Sequence, residues 1–136
     1  AQHKLEALLR AQEDVQLRGH AIEFRINAED PAYEFRPATG TVERYHAPGG
    51  PGIRVDSHVY SNYLVPPYYD SMVGKVIAYG DTREQAIARM RIALSEMVVE
   101  GIRTNIPLHQ ELLVDDKFVR GGTSIHYLEE KLAKRA

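Results

Sequence analysis

His20-Ala21-Ile22-Glu23-Phe24-Arg25-Ile26-Asn27 alternates without a break. Ile22, Phe24 and Ile26 fall on one side, and Glu23, Arg25 and Asn27 on the other. That is the period-two signature of a half-buried β-strand. The run ends at Glu29-Asp30-Pro31, because proline has no N–H to give to a ladder. A strand with one apolar face needs an apolar cover, and residues 82–100 supply it. Ala86, Ile87, Met90, Ala93, Leu94, Met97 and Val98 recur at helical spacing and form one stripe. Asp81 followed by Glu84 has the spacing of a capping box. Gly101 stands where a left-handed cap would close the helix.

The remaining segments are short. Residues 28–40 read as a loop with Pro31, Pro37 and Gly40, and Thr41–Tyr45 as a second strand. His46-Ala47-Pro48-Gly49-Gly50-Pro51-Gly52 reads as a rigid turn. Ile53–Val55 and Val59–Tyr60 read as further strand. Ser71–Tyr79 is expected to be another, with Val73, Ile77 and Tyr79 on its apolar face. Tyr79, Ile87, Met90, Leu94 and Met97 are therefore expected in the core. Asn105 and Pro107 open a helix to about Val114. Thr123 or Ser124 opens the last one, with Ile125, Leu128 and Leu132 inward. At the start, Leu5, Leu8 and Leu9 share one face of a helical stretch over 1–11.

Strands followed by helices, without β-α-β alternation, give an α+β class. Short antiparallel strands should form a sheet or partial barrel packed by three to four helices. Residues 1–12 are expected to be a helical leader or linker, and 13–136 one domain.

Composition bounds the function. The 136 residues are 43% hydrophobic and 26% charged, ordinary for a globular domain. Seventeen Lys+Arg against nineteen Asp+Glu leave a net charge of −2, so no basic excess drives nucleic-acid binding. Cysteine is absent, which excludes disulfides, thiolate metal sites and thiol nucleophiles. The six histidines lack the i, i+4 spacing of a helical zinc motif, and no metal site is expected. No apolar run approaches the ~20 residues of a membrane span. The opening Ala1-Gln2-His3-Lys4-Leu5-Glu6 has no apolar signal core, so a cytoplasmic domain is expected.

Three stretches could carry chemistry. Gly49-Gly50-Pro51-Gly52 lacks the Lys-Ser/Thr and the helix of a phosphate loop, and reads as a turn. Arg25 on its strand could present a fork of donors to an oxyanion. By pattern alone, a solvated face with an exposed ion pair is the commoner use of the Glu23, Arg25, Asn27 row. In Val65-Pro66-Pro67-Tyr68-Tyr69-Asp70-Ser71-Met72 the prolines exclude a core strand. Either a stiff loop places Asp70 beside a site or the tyrosines simply pack.

Several motifs in register resemble one family. Arg18-Gly19-His20-Ala21-Ile22-Glu23-Phe24-Arg25-Ile26-Asn27-Ala28-Glu29-Asp30-Pro31 resembles the opening of the C-terminal domain of biotin carboxylase. So do His46-Ala47-Pro48-Gly49-Gly50, Val65-Pro66-Pro67-Tyr68-Tyr69-Asp70-Ser71-Met72-Val73-Gly74-Lys75 and Glu100-Gly101-Ile102-Arg103-Thr104-Asn105. Gly121-Gly122-Thr123-Ser124-Ile125-His126-Tyr127-Leu128 completes the set. The similarity runs from about residue 13 to 132 and does not include residues 1–12.

The resemblance implies the following. Biotin carboxylases use ATP, with Mg²⁺, and bicarbonate to carboxylate N1′ of biotin on a biotin carboxyl carrier protein, through carboxyphosphate. Negative charge builds on the ureido oxygen when the N1′ proton leaves, and an arginine matching Arg25 stabilises it. Asp70 falls near that arginine in the biotin site, and Glu23 and Asn27 are framework. The arginine matching Arg54 takes part in a subunit contact, which points to a homodimer. Pro51 stands close by, where some members carry an aromatic, so this chain departs from the family by lacking that anchor of the subunit contact. The ATP-grasp part, with its lysines, Mg²⁺ carboxylates and glycine-rich lid, would lie upstream, so the chain is expected to be inactive alone and to be a piece of a longer polypeptide.

Further partners would be carboxyltransferase subunits, in acetyl-CoA carboxylase and fatty acid biosynthesis. The equivalent domain of pyruvate, propionyl-CoA or urea carboxylase is the nearest alternative. A non-catalytic assembly module with the same fold is the other.

Overall fold

The computed structural model describes residues 14–68 and 70–134. The helical stretch expected over 1–11, and with it the leader over 1–12, lies outside the described residues, as does Tyr69.

The alternating run is strand β1 (His20–Asn27), with Ile22, Phe24 and Ile26 buried and Glu23 and Arg25 exposed. It pairs antiparallel with β8 (Met72–Gly80), which in turn pairs antiparallel with β6 (Ile53–Ser57), giving a sheet of order β1-β8-β6. Three two-stranded antiparallel ribbons accompany it. They join β2 (Glu29–Asp30) to β3 (Arg36–Pro37), β4 (Gly40–Val42) to β7 (Tyr63–Val65), and β5 (Arg44–His46) to β9 (Val98–Glu100). Four α-helices complete the described chain: α1 (Arg83–Glu96), α2 (Ile106–Leu112), α3 (Asp116–Arg120) and α4 (Tyr127–Ala133). The class is α+β with short antiparallel strands.

Helix α1 covers the inner face of the β1-β8-β6 sheet. Its buried residues are Ala86, Ile87, Met90, Ala93 and Leu94, and Met97 is buried just beyond its end. They join Ile22, Phe24, Ile26, Val76 and Ala78 in one apolar cluster. Burial of a side chain such as Leu94 is worth about 1.5–3 kcal/mol over leaving it in water. Gly80 lets the helix start close to the strand, since a Cβ there would stand 2.6 Å from the Ala86 nitrogen.

Several expectations are corrected. On β8 the apolar face is Val76 and Ala78, while Ile77 is half-buried and Tyr79 is 42% exposed, so Tyr79 is not core. The cause is a bulge: Ile26 faces Gly74 but Asn27 faces Met72, so Val73 is an extra residue and alternation changes phase there. Val73 is therefore buried on one side of the bulge, and Val76 and Ala78 on the other. Thr41–Tyr45 is not one strand. The chain turns at Glu43, so that β4 and β5 pair with different partners. The loop over 28–40 contains the β2–β3 ribbon around a 3₁₀ turn at Pro31–Tyr33. Val59–Tyr60 is not strand; β7 begins at Tyr63.

Helix α1 is capped by Thr82, whose side chain accepts from the Gln85 N–H, rather than by Asp81. It stops at Glu96 because Val98–Glu100 are taken up as β9 against β5. Gly101 thus follows a strand. Its φ of +94° favours glycine, and a Cβ there would overlap the Thr41 carbonyl oxygen. Helix α3 was not expected from the sequence; Asp115 caps it by accepting from the Lys117 and Phe118 N–H groups. The last helix begins only at Tyr127, and Ile125, expected inward, is 89% exposed.

Candidate functional site

The outer face of the β1-β8-β6 sheet carries the charged side chains. Cross-strand register sets them in two rows, Glu23–Ile77–Arg54 and Arg25–Lys75–Asp56. Alternation put Glu23 and Arg25 on this face when it put Ile22, Phe24 and Ile26 into the core. The Arg54 guanidinium donates to both Asp56 carboxylate oxygens, at 2.9 Å each. That bond holds the Asp56 carboxyl below its ordinary range and raises Arg54, which Glu23 also favours as a cation. Both partners are well exposed, so the pair organises the surface more than it stabilises the fold.

Arg25 differs from Arg54. Its side chain is exposed and has no hydrogen bond or ion pair among the described residues. Its backbone, in contrast, is held. The Arg25 carbonyl accepts from Asn105 Nδ2 at 3.1 Å and from His109 Nε2 at 2.8 Å. Asn105 Oδ1 accepts the Asn27 N–H at 2.9 Å. The His109 ring lies flat on Phe24, with centroids 4.3 Å apart and planes 8° apart. Burial pushes the His109 imidazolium pKa down. A carbonyl can only accept, so His109 carries its proton on Nε2, and Nδ1 is buried with no partner among the described residues.

Asp70 precedes β8. Its Oδ1 accepts the Met72 N–H at 3.1 Å, which turns the chain into the strand. It lines a cleft of about 330 Å³ with His58, Tyr63, Val65, Pro66, Met72 and Val73. Next to it, Ser71 is tied to the end of β1: the Ser71 carbonyl accepts from Ala28 N at 2.7 Å, and its hydroxyl donates to Glu29 Oε1 at 2.7 Å. Glu29 Oε1 also accepts from Asn27 Nδ2 at 3.1 Å. Arg25 and Asp70 thus belong to the same end of the β1–β8 pair. No hydrogen bond or ion pair joins them among the described residues.

A permanently charged guanidinium on an ordered strand, with no partner among the described residues, is suited to an anionic or strongly polarised oxygen. No group of three or more His, Asp or Glu side chains able to hold a metal occurs among the described residues. No helix there is long and apolar enough to cross a membrane.

Sequence reasoning missed Asn105 and His109 as parts of this region. Asn105 reads as a helix cap, but its side chain makes no cap bond; it is spent on β1, 78 and 80 residues away in sequence. His109 reads as one of six scattered histidines, because its stacking on Phe24 is a long-range contact.

The family model described as biotin carboxylase C-terminal domain matches residues 23–130. The biotin carboxylase of Haemophilus influenzae is 61% identical over 121 residues, covering 89% of this chain and 27% of that protein. The biotin carboxylase of Pseudomonas aeruginosa is 61% identical over 127 residues, covering 93% and 28%. Among solved structures, the biotin carboxylase domain dimer of Hydrogenobacter thermophilus 2-oxoglutarate carboxylase, in complex with MgADP, ADP and bicarbonate, matches with a TM-score of 0.86. It is 45% identical and covers 89% of this chain and 27% of its own. The chain therefore spans little more than a quarter of the length of these relatives. With the family model matching most of its length and relatives 61% identical over nearly all of it, the chain belongs to the biotin carboxylase C-terminal domain family.

Proposed function

We propose that this chain supplies one wall of the biotin site in a biotin carboxylase, an enzyme that uses ATP and bicarbonate to carboxylate biotin on its carrier protein. Arg25 is the catalytic residue in this reading, and its exposed guanidinium, without a partner among the described residues, is the observation that carries it. Loss of the N1′ proton moves negative charge to the ureido oxygen. A donor already in place gains most from that charge when it develops, which lowers the barrier more than it tightens ground-state binding. Asp70 stands at the same end of the β1–β8 pair as a biotin-site residue. Arg54, exposed on β6 beside the Pro51 turn, belongs to a subunit contact of a homodimer.

ATP, Mg²⁺ and bicarbonate chemistry is assigned to the remainder of a longer protein. Residues 13–136 form the domain, and 1–12 lead into it. Carboxyltransferase subunits and the carrier protein complete the assembly, in acetyl-CoA carboxylase and fatty acid synthesis in the cytoplasm. The 2-oxoglutarate carboxylase relative favours a second reading, in which the same half-reaction serves another acceptor. The test is ATP- and bicarbonate-dependent carboxylation of free biotin, assayed with the isolated chain and with a complete enzyme containing it. Turnover is expected only from the complete enzyme; turnover by the pure isolated chain would overturn the reading.

A further inference from the structure

Among the described residues strand β1 has a neighbouring strand on one side only, so its other edge needs partners for its outward backbone groups. From Arg25 to Asn27 that edge is closed by two side chains of a remote segment. The Asn105 carboxamide acts as a substitute peptide group: Nδ2 donates to the Arg25 carbonyl at 3.1 Å, and Oδ1 accepts the Asn27 N–H at 2.9 Å. The Asn105 backbone N–H donates to the Asn27 carbonyl at 3.2 Å. His109 Nε2 donates to the second lone pair of the Arg25 carbonyl at 2.8 Å, and its ring stacks on Phe24. Asn105 is 6% exposed, the one buried polar side chain among the described residues. The backbone before, at and after Arg25 is therefore fixed, while its guanidinium has no partner among the described residues.

We propose that Asn105 and His109 are positioning residues for Arg25. They fix the peptide from which the guanidinium projects, so that only its own side-chain torsions remain to be ordered when the ureido oxygen arrives. Displacement of a donor by about 1 Å can cost roughly a hundredfold in rate. Side-chain chemistry matters at both positions. Asn105 must donate and accept at once, which a carboxylate of the same shape cannot do. His109 must supply a donor to the Arg25 carbonyl, which Nε2 does.

The proposal rests on the assignment of Arg25 to biotin carboxylation, and the test separates the two in a complete enzyme carrying this domain. Asn105→Asp keeps the acceptor for Asn27 and loses the donor to Arg25. His109→Phe keeps the ring on Phe24, loses the donor and removes the unpartnered Nδ1. His109→Gln restores a donor. The expected result is a kcat for biotin carboxylation lowered roughly tenfold by His109→Phe and up to about a hundredfold by Asn105→Asp. His109→Gln should recover most of the rate, and the ATP KM should not move. In an Arg25→Ala background neither variant should slow the enzyme further.

If Arg25→Ala itself leaves the rate unchanged, the functional reading fails and the proposal falls with it. Where Arg25→Ala slows the enzyme but His109→Phe and Asn105→Asp keep wild-type kcat, the positioning role alone is wrong. Equal additional slowing in the Arg25→Ala background would also overturn it, by showing a general structural role. Should Asn105→Asp fail to fold, His109→Phe and its glutamine rescue decide the matter.

Discussion

Arg25 on β1 and Lys75 on β8 are direct cross-strand partners on the exposed face of the sheet, two cations side by side. Like charges in that relation are destabilising, by roughly 0.2–1 kcal/mol. Asp56 relieves the strain only in part, because it stands on the far side of Lys75 and its carboxylate is engaged by Arg54. Arg25 thus sits where its charge costs stability and has no partner among the described residues. Arg25→Gln should therefore leave stability unchanged or raise it by a few tenths of a kcal/mol, read by urea unfolding. A loss above about 1 kcal/mol would mean that the guanidinium supports the fold.

The core prediction contrasts two positions. Leu94 is 1% exposed under the sheet, and truncation to alanine should cost about 2–5 kcal/mol. Tyr79 is 42% exposed, and Tyr79→Phe should change stability by less than about 0.5 kcal/mol. A large loss at Tyr79 together with a small one at Leu94 would contradict the register of β8.

Much of this was legible in the sequence, where the information is local. Strand β1 follows from its own alternation, and the stripe of α1 from its own spacing. The errors begin where a distant partner decides. The phase of β8 depends on the bulge at Val73, which only its pairing with Asn27 reveals. The end of α1 depends on β5 taking Val98–Glu100 as a partner. Within the candidate site, Arg25 is visible because alternation exposes it. Asn105 and His109 are not, because what they hold is a backbone carbonyl some eighty residues earlier.

A pH experiment tests the helical end. Asp115 accepts from Lys117 N, Phe118 N and, at 2.5 Å, the Tyr127 hydroxyl, and it also accepts from Lys131 Nζ. These donors, Lys131 first, hold its carboxyl well below the ordinary 3.8. A depressed carboxylate contributes stability that is complete above about pH 4 and lost as pH falls through the folded value. Lys131, raised by the same contact, contributes below about pH 10 and loses its share as pH rises further. Asp115→Asn should be less stable at pH 7 and should lose less than wild type between about pH 4 and 2. Parallel losses in the two proteins would show that the cluster does not carry the acid dependence.

The central claim is tested most directly by biotin carboxylation kinetics of Arg25→Ala in a complete enzyme containing this domain. The predicted result is a rate lowered roughly a hundred- to a thousandfold with the ATP KM close to wild type, since on this account the lost donor meets charge that develops on the ureido oxygen in the transition state and barely exists in the ground state. Arg25→Lys should recover little, because a point charge on a flexible stem does not reproduce the planar fork. An alanine variant that carboxylates biotin at the full rate while binding ATP normally would contradict the account.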